Sequence, residues 1–310
     1  MLKKTADGSI IDDAGKVIFF SARRFVDDIC LGDSCFICGA RPGTRPFNDE
    51  HVIPDWMLRR YSLHARSLTL SNNQQIRYDR LKIPCCAECN SLMGRRIETP
   101  MSELVRAGHA AFNDYALNGG LLNIFVWLGL IFLKTHLKDR SFRWHRDARL
   151  GDVRISDFHT WEELHHIHCI VRCFFNGAGV DQAAVGSFLA LPARRALWPD
   201  RFDFLDLSEG QTLMLRLDDF AIFAVFNDSG GAMSWFHQKE ALITGPITEL
   251  QGREIAAELA YLNLHLDPRP VFHTETNRFR QTSRIRATRP SAPTLAPLDR
   301  GVRGALLDRA

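Results

Sequence analysis

The sequence predicts an α+β protein in which a small zinc-stabilised unit is followed by a mixed region of helices and antiparallel strands. Three observations predict it. Two Cys-x-x-Cys pairs, at Cys35/Cys38 and Cys86/Cys89, stand 47 residues apart. Residues 102–138 carry apolar side chains at helical spacing, with few breakers except Gly119-Gly120. Residues 203–236 alternate in strand fashion, with turns at Ser208-Glu209-Gly210 and Asp228-Ser229-Gly230-Gly231.

The elements follow in order. Residues 8–20 read as a hairpin whose short apolar runs flank Asp12-Asp13-Ala14-Gly15. Ser21 caps a helix running to Cys30 that places Phe25, Val26 and Ile29 on one face. Residues 55–61 form a short helix, and residues 68–70 and 76–83 form two strands around an Asn72-Asn73 turn. A helix over 86–97 follows the second cysteine pair, and further helices are expected at 161–175 and 247–265. After Pro268 the chain turns Arg-, Thr- and Pro-rich with few large apolar groups, which reads as a flexible tail. The expected division is 1–104, 105–267 and 268–310.

At 310 residues, 45% hydrophobic and 24% charged, the chain has an ordinary globular composition and the length of one or two domains. The net charge of +3 is uneven. Eight arginines against Asp299 and Asp308 give the last 34 residues +6, leaving −3 for the first 276. Within those, residues 41–96 hold ten Lys/Arg against five Asp/Glu. Clustered positive charge suits a polyanion, because Lys and Arg displace counterions from phosphates; a solvated charged surface is the plainer account. The opening MLKKTADGSIIDDAG has no apolar signal-peptide core. The longest apolar run, residues 121–133, is short for a bilayer crossing. A cytoplasmic protein with no membrane partner is expected.

Eight cysteines in such a chain argue against disulfides. Each Cys-x-x-Cys turn offers two thiolates to adjacent corners of a tetrahedron, and two such turns complete a closed, structural zinc site. Gly39 suits the turn after the first pair. The competing reading is buried free thiols; two pairs in a segment without a large apolar run favour zinc. Cys85 beside Cys86 leaves the register open, and the two-residue spacing selects Cys86. Cys30, Cys169 and Cys173 read as core cysteines.

Between the pairs lies Asn48-Asp49-Glu50-His51-Val52-Ile53-Pro54-Asp55-Trp56. A carboxylate is a hard ligand for a divalent ion, and an imidazole beside it accepts a proton from water. Asn90, directly after the second pair, adds a neutral amide oxygen. Singly, His51 is a structural histidine, Glu50 a surface charge and Asn90 a helix cap. Together they compose a hydrolytic site.

The pattern CFIC…EHVIP…CAECN, from Cys35 to Asn90, resembles the HNH nucleases, also called ββα-metal or His-Me finger nucleases. Pro54-x-Trp56, Ile83-Pro84-Cys85-Cys86 and Glu98 resemble a bacterial subgroup of them. The resemblance implies a zinc-stabilised ββα-metal domain that hydrolyses phosphodiester bonds of nucleic acid, DNA more than RNA. It makes His51 the general base, and Glu50 and Asn90 ligands of a catalytic Mg²⁺ or other divalent cation. Cys35, Cys38, Cys86 and Cys89 become ligands of structural Zn²⁺. The middle Asn, which orients the base, falls on Asn73 or Asn72. Arg59, Arg60, Arg66, Arg95 and Arg96 become candidate phosphate contacts, with Arg59, Arg95 and Arg96 named as the nucleic-acid-binding residues.

Two other readings stand beside it. A zinc ribbon that binds nucleic acid or protein without cutting needs the cysteines but not Glu50 or His51. Alternatively, the chain is a sensor or structural protein in which residues 105–265 do the main work, with a protein partner or second copy bound through residues 105–267. His165 and His168 there have metal-ligand spacing, though an amphipathic helix face explains them as well.

Overall fold

In the computed structural model, which describes residues 1–195, 200–277, 279–289 and 294–296, helices combine with antiparallel sheets in an α+β fold. The described residues divide into two compact units that interleave along the chain. Unit 1 is Met1–Ser102 with Gly129–Gly179 and Thr274–Arg284; unit 2 is Glu103–Leu128, Val180–His273 and the described residues from Ile285 on. The consecutive order 1–104, 105–267, 268–310 therefore does not describe it. Hydropathy marks an apolar helix but not the point at which that helix changes the unit it belongs to.

Unit 1 opens with strands β1 (Lys3–Lys4), β2 (Ile10–Ile11) and β3 (Val17–Phe19), with Ile10 opposite Phe19. The Ser21 hydroxyl accepts from the Arg24 amide and caps α1 (Ala22–Arg24), which continues as a π-helical turn, Phe25–Cys30. Strand β4 (Phe47–His51) then waits for its partner. Helix α2 (Asp55–Arg60) and the hairpin β5 (Ser67–Thr69)/β6 (Gln75–Arg77) intervene, with Asn73 at φ 60° in the hairpin turn. The strand expected over 76–83 is broken by a helical turn, Tyr78–Arg80, which buries Tyr78 and redirects the chain. Strand β7 (Lys82–Cys86) then pairs antiparallel with β4, Phe47 opposite Cys86 and His51 opposite Lys82. Cys86 is the N-cap of α3 (Ala87–Met93), continued by a π-helical turn, Gly94–Glu98.

Helix α4 (Thr99–Ala107) follows. In unit 2, α5 (His109–Tyr115) sets Phe112 against Phe220, ring centroids 5.0 Å apart. Helix α6 (Leu121–Asp139) belongs to unit 2 up to Leu128 and to unit 1 from Gly129. With α5 it makes a stretch, His109–Asp139, long and apolar enough to cross a membrane, of which 61% of the most apolar window is buried in the protein. Unit 1 also holds α7 (His165–Asn176).

After β8 (Gly179–Val180), unit 2 builds a four-stranded sheet from β9 (Phe188–Pro192), β10 (Phe202–Leu207), β11 (Thr212–Leu217) and β12 (Phe220–Val225), in the order β10-β11-β12-β9. Met214, Ala221, Phe223 and Val225 pack on Phe236 of α8 (Gly231–Glu240) and on Ile255, Leu259 and Leu262 of α9 (Glu249–Leu264). The strand pattern read across 203–236 thus ends at Val225, and α8 replaces its last part. Thr248 and Gln251 form a capping box at the start of α9.

The region expected as a flexible tail is ordered over much of its described length. Strand β13 (Leu266–Asp267) precedes β14 (Val271–Asn277) and β15 (Thr282–Thr288), and β16 (Thr294–Leu295) pairs with β13. Alternation of exposed Arg and Thr with buried Ser283 and Ile285 gives β15 one inward face on which Ile285 is the large apolar side chain. Arg300, Arg303 and Arg309 lie outside the described residues.

Candidate metal centre and active-site strand

The β4–β7 pairing gathers the cysteines. It places Cys86 at the end of β7, and the first turn of α3 brings Cys89 back beside it. The Cys35/Cys38 turn closes through the Gly39 amide on the Cys35 carbonyl at 2.8 Å. Gly39 is required twice: its φ is 76°, and a Cβ would stand 2.4 Å from the Phe20 ring. The Sγ atoms of Cys35, Cys38, Cys86 and Cys89 all lie within 4.8 Å of one another, with Cys38 and Cys86 at 3.6 Å. A tetrahedral zinc with Zn–S of about 2.3 Å needs sulfurs about 3.8 Å apart, so the donor set fits the ion. Cys85 approaches Cys35 at 3.8 Å but is not among the four mutually close sulfurs, in keeping with the two-residue spacing.

The thiols bear on one another as such a set must. Hydrogen bonds from Cys38, then Cys85 and Cys89, hold the Cys35 thiol far below the usual range. Cys35 in turn pushes Cys38 up to about 12 and Cys89 higher still. Without a cation the cluster accepts one negative charge and resists a second; a bound divalent ion lets all four ionise.

At the other end of β4, successive side chains alternate between faces. Asn48 and Glu50 share the face toward α3. Asn90 Nδ2 donates to Asn48 Oδ1 at 2.9 Å. Glu50 is 6% exposed, and its partner is Lys134 of α6. Lys134 Nζ, 1% exposed on its side chain, donates at 2.7 Å to Glu50 Oε1 and at 2.7 Å to the His51 carbonyl. Glu98, at the end of the α3 continuation, lies 3.8 Å from the same ammonium. Burial, partly offset by Lys134, raises the Glu98 carboxyl to about 6. His51 is half-buried at the strand end, where desolvation, then Lys82 opposite, lowers its proton affinity below the ordinary histidine value. A neutral imidazole at neutral pH is the form a base requires.

Several expected roles are redistributed. Glu50, read as a cation ligand, sits in a buried ion pair; a carboxylate facing the interior takes the nearest buried cation. Asn90 meets Asn48 rather than Glu50. Asn73 lies in the β5–β6 turn, where its carbonyl accepts from Arg146, and no hydrogen bond joins its side chain to His51 among the described residues. Asn72 holds Gln74 and the carbonyls of Arg143 and Trp144. Arg59 pairs with Asp55, while Arg95 and Arg96 are exposed on the α3 continuation. His165 and His168 bond separate carbonyls, of Phe20 and Phe36, at 2.9 Å each.

Two participants escaped the sequence. Asn48 was legible as the residue two before Glu50, hence on its face. Lys134 was legible as an ammonium set directly after an apolar helical run, which demands a buried carboxylate, though not which one.

Comparison of the chain with family models, with curated proteins and with solved structures gives no match.

Proposed function

We propose that this chain is a metal-dependent endonuclease of the HNH type, hydrolysing phosphodiester bonds of nucleic acid in the cytoplasm, DNA in preference to RNA. The observation that carries the reading is the antiparallel pair β4–β7 running straight into α3, with four thiols gathered at one end and His51 at the other. His51 takes the proton of the attacking water at its free ring nitrogen, and its lowered proton affinity keeps it competent below pH 6.5. Arg95 and Arg96 offer cations to the phosphate backbone. A bound divalent cation would supply charge at the scissile phosphate. Glu50 and Asn90 do not form a shared pocket for it: one is engaged by Lys134, the other by Asn48.

The test is cleavage of plasmid DNA and of labelled RNA by zinc-loaded protein, with Mg²⁺, Mn²⁺ or EDTA. Wild type should nick or linearise DNA, and His51→Ala should lose roughly 10²–10⁴-fold in rate while still binding. Equal cleavage by the variant refutes the reading. The Glu50–Lys134 pair favours one alternative, a zinc-bearing module that binds nucleic acid or protein without cutting. Binding without cleavage under every metal condition would select it.

A further inference from the structure

Arg172 on α7 is 3% exposed, yet among the described residues it has no carboxylate partner. Its guanidinium donates to three carbonyls, Val17 and Ile18 of β3 and Ile37, and lies 4.5 Å over the Phe20 ring. Carbonyls and a ring face solvate a cation but do not neutralise it, and an isolated buried charge is costly. Ile37 lies inside the Cys35/Cys38 turn. One helical turn earlier on α7, His168 Nε2 meets the carbonyl of Phe36, the other residue inside that turn.

The complementary excess is next door. Four thiolates around a divalent ion leave a net charge of about −2. Arg172 reaches that centre through Ile37, whose carbonyl it holds between Cys35 and Cys38. Arg45 also faces Cys38 and Cys86, but it is exposed and shared with Glu88 at 2.9 Å.

We propose that Arg172 is the buried counter-cation of a zinc–thiolate centre formed by Cys35, Cys38, Cys86 and Cys89. Its charge offsets the surplus of the centre, and its hydrogen bond to Ile37 fixes the turn that presents two of the sulfurs. The assignment is independent of whether the protein cuts nucleic acid.

The experiment uses full-length protein carrying Arg172→Met or Arg172→Lys. Zinc retention is followed against a competing chelator, and cobalt-substituted samples report the sulfur-to-metal charge-transfer bands. Arg172→Met should weaken zinc binding roughly ten- to a hundredfold, the usual effect of losing a group that supports metal ligands. Its cobalt bands should move to lower energy, because removing a nearby cation raises the sulfur lone pairs. Arg172→Lys keeps the charge and should hold zinc and bands close to wild type. Wild-type zinc retention in Arg172→Met, or a loss in Arg172→Lys as large as in Arg172→Met, would overturn the assignment, the second by showing a carbonyl tether rather than a charge. If Arg172→Met yields no folded protein, Arg172→Lys decides alone: retention supports the assignment and loss refutes it.

Discussion

The two ends of the β4–β7 ribbon hide charge in different ways. At the Phe47/Cys86 end four sulfurs converge from two tight turns, and the local sequence supplies the whole set. At the Glu50/His51 end a buried carboxylate is answered by Lys134, 84 residues further on. The first arrangement could be answered by an ion taken from solution, since the four sulfurs can hold one. The second carries its own cation. An ion held at the first could be stripped by a chelator, whereas the second is lost only by mutation.

That contrast can be broken or sharpened by substitution. The largest effect is expected at the sulfur end. Structural zinc sites contribute about 10–16 kcal/mol of binding in small zinc-dependent folds. Cys89→Ser should abolish stoichiometric zinc, measured by elemental analysis, and with it the cooperative melting of unit 1. Unchanged melting would mean that the sulfurs are mere core. At the other end, Lys134→Met strands Glu50 in the interior and should cost about 3–5 kcal/mol in urea unfolding. Adding Glu50→Gln to it should restore most of that loss; two additive losses would sever the pair.

A smaller effect concerns Glu98. Its folded carboxyl titrates near 6 against an ordinary 4.5. The folded state thus holds the proton more tightly. The group favours folding fully below about pH 4.5, and that contribution is lost as pH rises through 6. With its side chain 18% exposed, the swing should be about 1–2 kcal/mol. Unfolding free energies of wild type and Glu98→Gln, compared at pH 4.5 and pH 7, should diverge by that amount; parallel curves would place Glu98 in water. Smallest in stability, Arg95→Gln with Arg96→Gln should change unfolding by no more than about 0.5 kcal/mol. It should lower the salt dependence of DNA binding by about 1–2 in log–log slope. An unchanged slope removes both arginines from the interface.

The same contrast explains what was legible in the sequence. Ser21 as a cap, the hairpin around Asn72-Asn73, the cysteine turns and the helix expected over 247–265 are short-range patterns, and the chain forms them where the pattern lies. The α+β class followed from the cysteine pairs and from helical and strand periodicity. The placement of Glu50 did not, because a strand written Asn-Asp-Glu-His does not say which face will be buried. Only the return of α6 decides it, and that return is a property of the tertiary fold. The strands at Val271–Asn277 and Thr282–Thr288 escaped for a related reason: they pair with each other, and Ile285 is the one large apolar side chain buried among their residues.

Interleaving of the two units bears on how the chain can be dissected. A fragment ending near residue 104 would carry every cysteine of the metal set and His51, but neither Lys134 nor Arg172. It would be translated with a carboxylate and a thiolate cluster whose answering cations are still unmade. Grafting that fragment onto another scaffold calls for replacing Glu50 with a neutral residue. Co-expressing the remaining chain, so that α6 and α7 dock in trans, is the other route.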